Sequence, residues 1–236
     1  MPQVLRRLLV GGAVVALVAC GGKDEPDSGA PTVTTEKTLI SDDSTLTSSL
    51  SGYKVVDSFN VGENVYVRSL AMDPSSSSLW VGTTVGVLEV DVTTRNMRNA
   101  YTRDHGLANE YVFGIFVDSQ GAKWFGTNGG GITRLKDNTW KTYFPMHGLA
   151  DYWVYSFAEQ KSGALWIGTW AGLSVFNRQD EKFNTYLKEL VNEWVYGLGV
   201  DSKDQIWIGT EGGVNMFDGQ QWKTWTHKDG LGAPNT

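Results

Sequence analysis

Large apolar residues alternate with small or polar ones in Leu165-Trp166-Ile167-Gly168-Thr169, the period-two pattern of a half-buried strand. The pattern recurs as Leu79-Trp80-Val81-Gly82-Thr83, Lys123-Trp124-Phe125-Gly126-Thr127 and Ile206-Trp207-Ile208-Gly209-Thr210. The tryptophans lie 44, 42 and 41 residues apart, and self-similarity near 40 residues marks a repeat architecture. A Trp buries a large area against a neighbouring layer, while a Gly two residues on leaves room for close backbone approach. Trp80, Trp124, Trp166 and Trp207, with Gly82, Gly126, Gly168 and Gly209, are therefore expected to be the structural core of the repeat.

The same reading places three further strands around each copy. First strands are expected at 65–72, 111–117, 153–158 and 194–200, third strands at 87–90, 132–136, 173–176 and 214–217. Fourth strands are expected at 97–101, 139–143, 183–186 and 222–225. Four short antiparallel strands per 40-odd residues form the blade of a β-propeller, so the fold is expected to be all-β. Residues 53–59 read as a fourth strand without three predecessors, and Asp229-Gly230-Leu231 repeats the loop before a new blade. Four complete blades plus an orphan strand imply a fragment of a ring of six to eight blades, with a self-contained four-bladed ring as the alternative.

Composition agrees with this picture: 28 Gly, 10 Trp, 9 Tyr and 9 Phe suit many short strands joined by tight turns. The net charge of −6 argues against nucleic acid as a partner. The lone cysteine, Cys20, rules out an internal disulfide. It follows Arg6-Arg7 and an apolar run over 8–19, the layout of a secretory signal too short to span a membrane as a helix. Leu17-Val18-Ala19-Cys20 resembles the lipobox of bacterial lipoproteins. The resemblance implies a signal peptide at 1–19, lipidation of Cys20 and anchoring in a membrane. Gly21 in place of Asp implies the outer membrane of a Gram-negative cell. Residues 21–52 are rich in Ser, Thr, Asp, Gly and Pro and lack aromatics, the composition of a flexible tether reaching on the order of 30 Å. The propeller is expected over 53–236.

Asp118, Gly121, Trp124, Gly126, Thr127, Gly129 and Gly130 spell D-x-x-G-x-x-W-x-G-T followed by a Gly pair. This resembles the two-component regulator propeller repeat, in phase through four copies. Members of that family form periplasmic sensing domains of hybrid histidine kinases or stand-alone exported proteins, so the resemblance implies a sensing or binding role. The first and third copies depart from the pattern at the Asp. Asp73 stands one residue further from Trp80, and Gln160 replaces the Asp of the third copy, which implies a looser turn.

Asp73, Asp118 and Asp201 each stand alone in a turn, as residues that cap backbone amides do, and lack the clustered oxygens of a calcium site. His105, His147 and His227 fall in loops outside the blades and read as turn residues. Neither a metal nor a cofactor is called for, and no catalytic constellation stands out. Aligned by repeat, Tyr66, Tyr111, Trp153 and Trp194 open the first strands, with Arg68, Phe113, Tyr155 and Tyr196 two residues later. Innermost strands surround a propeller's central channel, and their starts share a rim with the Gly-rich turns. Tyr111, Trp153, Trp194, Asn128 and Trp170 are the candidate ligand-binding residues. The Phe113 row is expected to pack between blades. Stacked rings suit an oligosaccharide or a peptide, or a protein partner. The function expected is that of an exported, lipid-anchored binding or sensing module. The rival classes are an exported lyase of the streptogramin B lyase type and a structural scaffold.

Overall fold

A computed structural model describes residues 61–232, together with the backbone at 9–10 and 13–14. The expected leader, Cys20, tether, strand at 53–59 and residues 233–236 lie outside the described residues. Leu9–Val10 (β1) and Ala13–Val14 (β2), the exception within the leader, pair antiparallel. The chain divides into two units, Met1–Val67 and Arg68–Thr236, and the second carries the repeats.

Each Trp pattern becomes the second strand of a four-stranded antiparallel sheet whose strands pair in chain order. The first blade consists of β3 (Val67–Asp73), β4 (Ser78–Thr83), β5 (Gly86–Asp91) and β6 (Met97–Tyr101). The second has β7 (Val112–Val117), β8 (Lys123–Thr127), β9 (Ile132–Lys136) and β10 (Thr139–Tyr143). The third has β11 (Val154–Glu159), β12 (Leu165–Thr169), β13 (Gly172–Asn177) and β14 (Lys182–Tyr186). The fourth has β15 (Val195–Val200), β16 (Ile206–Thr210), β17 (Gly213–Phe217) and β18 (Trp222–Trp225). The fold is a run of four propeller blades. Among the described residues no helix is long and apolar enough to cross a membrane.

Successive first strands β7, β11 and β15 neighbour one another and form the inner edge of the blades. The core lies between blades, the first three repeat tryptophans each packing on an aromatic residue of the next blade. Trp80 meets Phe125 at 5.8 Å, Trp124 meets Phe176 at 4.9 Å, and Trp166 meets Phe217 at 6.0 Å between ring centroids. Those three tryptophans are buried, whereas Trp207 is 37% exposed and stacks on Trp225 of its own blade. No described residue of a following blade covers it.

The repeat glycines show the same contrast. A Cβ on Gly126 would lie 2.7 Å from the Val154 carbonyl oxygen, and one on Gly168 would lie 2.7 Å from Val195 Cγ1. Blades therefore approach closely at the glycine, as the pattern predicts. At Gly209 the nearest heavy atom is the Gly197 oxygen of its own sheet, 3.6 Å away.

The turns between first and second strands are locked from within. Asp118 Oδ1 accepts the Gln120 and Ala122 amides, and its Oδ2 accepts Trp124 Nε1–H at 2.8 Å. Asp201 does the same for Lys203, Gln205 and Trp207. Both aspartates thus act as turn caps. In the third blade Gln160 Oε1 accepts Trp166 Nε1–H at 2.8 Å, so the substituted residue keeps the indole bond. Its amide cannot also cap the turn backbone, and the Ala164 amide turns to Ser162 at 3.4 Å. The one-residue shift of Asp73 has a larger effect. Its carboxylate binds Ser75, Ser76 and Lys123 of the next blade, leaving Trp80 Nε1 buried without a partner among the described residues.

Arg178 then ties the second blade to the third at this end. Its guanidinium reaches Asp118 at 2.9 Å, Glu159 at 2.6 Å and the Gly163 carbonyl at 2.9 Å. Burial pushes the Asp118 carboxyl up, but the Trp124 indole, Arg178 and the Ala122 amide outweigh it and hold the group below its ordinary value.

Candidate functional site

The opposite end of the sheets carries the starts of the first strands and the turns between second and third strands. One hydrogen bond, repeated, builds this rim. The Asn128 amide donates to the Tyr111 carbonyl at 2.9 Å, Trp170 to Trp153 at 3.0 Å, and Glu211 to Trp194 at 3.1 Å. Each of these blades thereby sets a first-strand aromatic beside one turn residue of variable type. Tyr111, Trp153 and Trp194 lie one residue ahead of their strands.

A second repeated feature aims the next row of side chains. The pairing of first and second strands shifts register between Val112 and Gly114, between Val154 and Ser156, and between Val195 and Gly197. Phe113, Tyr155 and Tyr196 are the bulged residues. A bulge bends the strand and re-aims one side chain, and bulges concentrate next to binding sites. Here the three rings run from blade to blade along the inner edge. Phe113 and Tyr155 lie 4.8 Å apart and Tyr155 and Tyr196 5.4 Å, between ring centroids. The row thus packs from blade to blade along the inner edge, while the repeat tryptophans and Phe116–Phe157 fill the wedge between sheets. No sequence signal marks a bulge whose central residue is an ordinary strand aromatic.

The two tiers join into one aromatic surface. Tyr111 sits 5.0 Å from Phe113, and the Arg68 guanidinium lies over both rings at 5.8 and 5.4 Å. Trp170 stands edge-on to Trp153 at 5.3 Å, stacks on Trp194 at 4.5 Å with a 26° interplanar angle, and comes within 6.3 Å of Tyr155. It is half-buried rather than idle in an open turn, and it bridges the third blade to the fourth. Trp153 and Tyr196 are 41% and 37% exposed. Asn128 is half-buried beside Gly129, and the Trp153 indole nitrogen would lie 3.3 Å from a Cβ there.

Electrostatics along the surface are uneven. Arg68 stands at one end. Burial, then Tyr196 and the Asp151 carboxylate, push the Tyr155 hydroxyl up to about 12 against the opposing pull of Arg68. Burial and the Glu211 carboxylate push the Tyr196 hydroxyl up likewise. Both phenols are neutral donors at physiological pH.

Two histidines have structural work elsewhere. His105 Nδ1 accepts the Thr102 amide and His147 Nδ1 the Phe144 amide, each at 3.1 Å, closing a 3-10 turn. Asp229 closes the third such turn for Thr226, so the motif tolerates a carboxylate in place of imidazole. A cavity of about 490 Å³ opens between the first two of these turns, with Arg103 and Tyr152 on its wall. None of the five candidate rim residues lines it. Among the described residues no group of three or more His, Cys, Asp or Glu is placed to hold a metal ion.

Residues 148–171, the loop, first strand, Trp strand and turn of the third blade, match the two component regulator propeller family. The match lies within the third repeat unit. No curated protein matches it. Among solved structures it is similar to the extracellular domain assigned to the hybrid two component system BT3049 of B. thetaiotaomicron. That match has a TM-score of 0.68 at 21% identity and covers 78% of this chain and 26% of that one. The extracellular domain assigned to the one component system BT4673 of the same organism matches with a TM-score of 0.58 at 18% identity, over 68% of this chain and 23% of that one. Virginiamycin B lyase from Staphylococcus aureus matches with a TM-score of 0.52 at 14% identity, over 68% of this chain and 55% of that one. The repeat-bearing chain spans about a quarter of the length of the first two. At these identities the likeness establishes the fold.

Proposed function

We propose that this propeller is the recognition module of an exported, lipid-anchored envelope protein, and that it binds its ligand on the rim without chemistry of its own. The observation that carries the reading is the continuous aromatic surface from Tyr111 to Tyr196, aimed by three β-bulges and still exposed at Trp153. Aromatic faces grip flat or apolar solutes at little entropic cost, and polar groups beside them set orientation. Tyr111, Trp153, Trp170 and Trp194 supply the faces, and Asn128 supplies a polar group. An oligosaccharide or a peptide fits such a surface, and so does a loop of a protein partner.

Export is supported by the leader pattern before Cys20 and by the fold shared with extracellular domains assigned to two component and one component systems. The lyase shares the fold as well. The engagement of His105 and His147 in turn closure favours binding over catalysis. The test is a titration of intrinsic tryptophan fluorescence with panels of oligosaccharides and peptides, repeated in Trp153→Ala and Trp170→Ala. A ligand that shifts wild-type emission should bind at least about tenfold more weakly to both variants, the loss of about 1.4 kcal/mol or more expected for an aromatic anchor. Unchanged affinity in two folded variants would refute the rim as the site.

A further inference from the structure

We infer that the turns at 102–107 and 144–149 are pH-sensitive clasps, held closed by neutral imidazole at His105 and His147 and released when acid protonates it. The inference concerns the loops between blades and stands apart from the rim reading.

The two turns are built alike. The His105 amide donates to the Thr102 carbonyl at 3.1 Å, and the Gly106 amide to the Arg103 carbonyl at 2.9 Å. In the second turn the His147 amide donates to Phe144 at 2.8 Å, and the Gly148 amide to Pro145 at 2.9 Å. In each, the imidazole bends back and its Nδ1 accepts the amide that opens the turn, from Thr102 or Phe144, at 3.1 Å. A ring nitrogen accepts only while it carries no proton, and imidazolium has two donors and no acceptor. Protonation at Nδ1 sets one N–H against another, so the bond and the charge exclude each other. Imidazole is the side chain whose charge ordinarily changes between about pH 5 and 8.

A third turn shows that the acceptor need not titrate in that range. Asp229 Oδ2 accepts the Thr226 amide at 2.8 Å, over the same pair of backbone bonds to Thr226 and His227. A carboxylate closes the turn as well as imidazole does and stays ionised well below neutral pH. The two histidines thus add a sensitivity that the architecture of the turn does not require.

Nothing around the rings replaces the bond that protonation removes. Arg103 and Asp104 precede His105 in its own turn, and Glu110 Oε1 lies 3.5 Å from the Arg103 amide. From β6 the Tyr101 ring stands edge-on to His105 at 5.8 Å, and from β10 Trp140 packs against Gly106. His147 meets the rings of Tyr143 and Phe144 at 5.9 and 4.9 Å, with the Lys141 ammonium 5.2 Å from the Tyr143 centroid. The Phe183 carbonyl of β14 backs Gly148. Among the described residues neither imidazole forms an ion pair, so the charged ring gains no partner where it lies.

The turns hold more than themselves. Leu107 and Leu149 directly follow the turn glycines, and each is buried in the core between blades. Arg103, Gly106, Leu107 and Phe144 also wall the cavity of about 490 Å³. Release of both clasps frees these walls, so the cavity keeps its shape at neutral pH and loosens in acid.

The experiment is amide hydrogen exchange on the full chain at about pH 7.5 and about pH 5.5, corrected for intrinsic exchange. Protection over 102–107 and 144–149 should fall at least about fivefold in acid, the loss of one hydrogen bond, while 226–231 holds. His105→Asp and His147→Asp should each keep their own turn protected at both pH values and leave the other turn responsive. Should a variant fail to fold, wild type labelled with 15N-histidine decides: at neutral pH both rings should carry the proton on Nε2 and leave Nδ1 bare. A proton on Nδ1 would overturn the inference. So would equal protection at the two pH values, or a pH response unchanged in the aspartate variants.

Discussion

Trp124 and Trp207 occupy the same position in two blades and should respond very differently to truncation. Trp124 is fully buried, packs on Tyr143 and Phe176, and donates its indole proton to Asp118, whose side chain is itself fully buried. A Trp of this kind removes about 150–250 Å² from water. At about 25 cal/mol per Å² that is about 4–6 kcal/mol, close to the 3–5 kcal/mol typical of core Trp→Ala changes. Loss of the indole donor adds on the order of 1 kcal/mol, because Asp118 keeps Arg178 and two backbone amides. Trp124→Ala should therefore cost about 4–6 kcal/mol. Trp207 is 37% exposed, bonds an exposed-side aspartate at 3.1 Å and loses chiefly its stack on Trp225. Its truncation should cost about 1–2 kcal/mol. With a urea m-value of about 3 kcal/mol per M for a domain this size, the two midpoints should differ by roughly 1 M. Far-UV circular dichroism on the full chain reads both. Equal shifts would mean that Trp207 is covered in solution, and the argument from its exposure would fail.

The repeat glycines should show the same asymmetry with a change of sign. Gly126→Ala meets the Val154 carbonyl at 2.7 Å and should cost about 1–3 kcal/mol, while Gly209→Ala has room and should be neutral or stabilising by about 0.5 kcal/mol; thermal melts of the pair decide this, and equal losses would refute the close-approach reading. Trp80→Phe loses an indole N–H without a partner among the described residues and should be milder than Trp124→Phe, which strips a donor from a buried carboxylate at a cost of about 1 kcal/mol. Asp118 has a depressed folded-state pKa, so its stabilisation is full above its ordinary value near 4 and fades as pH falls further. The stability gap between wild type and Asp118→Asn should accordingly narrow in denaturation curves below about pH 4, and a constant gap from pH 7 to pH 3 would count against the clasp. Cys20→Ser should move the protein from membrane to soluble fractions, since lipidation needs the thiol; wild type found soluble and starting elsewhere would refute the anchor.

Strand placement was legible because a period-two pattern repeated four times leaves little freedom. No strand expected over the described residues is displaced by more than two positions, and the fourth strands of the first, second and fourth blades match residue for residue. Local substitutions were legible in part. The displaced Asp73 does lose its Trp, yet Gln160 keeps the indole bond, because an amide oxygen accepts as a carboxylate does. Features built from distant residues were not legible. Arg178 reaches Asp118 across 60 positions, and neither carries a mark in the sequence that names the other. The bulges belong to the same class, since a register shift is a property of two paired strands and not of either one. The stack of Trp170 on Trp194 was not legible either, because Trp194 is in the next blade, at a distance only the packing of blades determines.

The two ends of the blades divide the labour, and this division explains why the rim can vary. At the Asp118 end, side chains satisfy the turn backbone and reach across to the next blade, so a change there costs folding energy directly. At the rim, the recurring bond runs between main-chain atoms, from the turn amide to the carbonyl of the first-strand aromatic. A backbone bond holds whatever side chain the turn residue carries. The position filled by Asn128, Trp170 and Glu211 is therefore free of structural duty in its hydrogen bonding while remaining fixed in space. A scaffold that places different side chains in one fixed position per blade can change what it recognises without changing how it folds. In this chain the three positions read Asn128, Trp170 and Glu211, with Thr84 aligned to them in the first repeat, passing from polar through aromatic to acidic along the row. The first-strand row reads Arg68, Phe113, Tyr155 and Tyr196 beside them, so the basic and acidic ends fall at opposite blades. That polarity lies in side chains outside the recurring main-chain bond, and the proposed binding role of the rim draws on it.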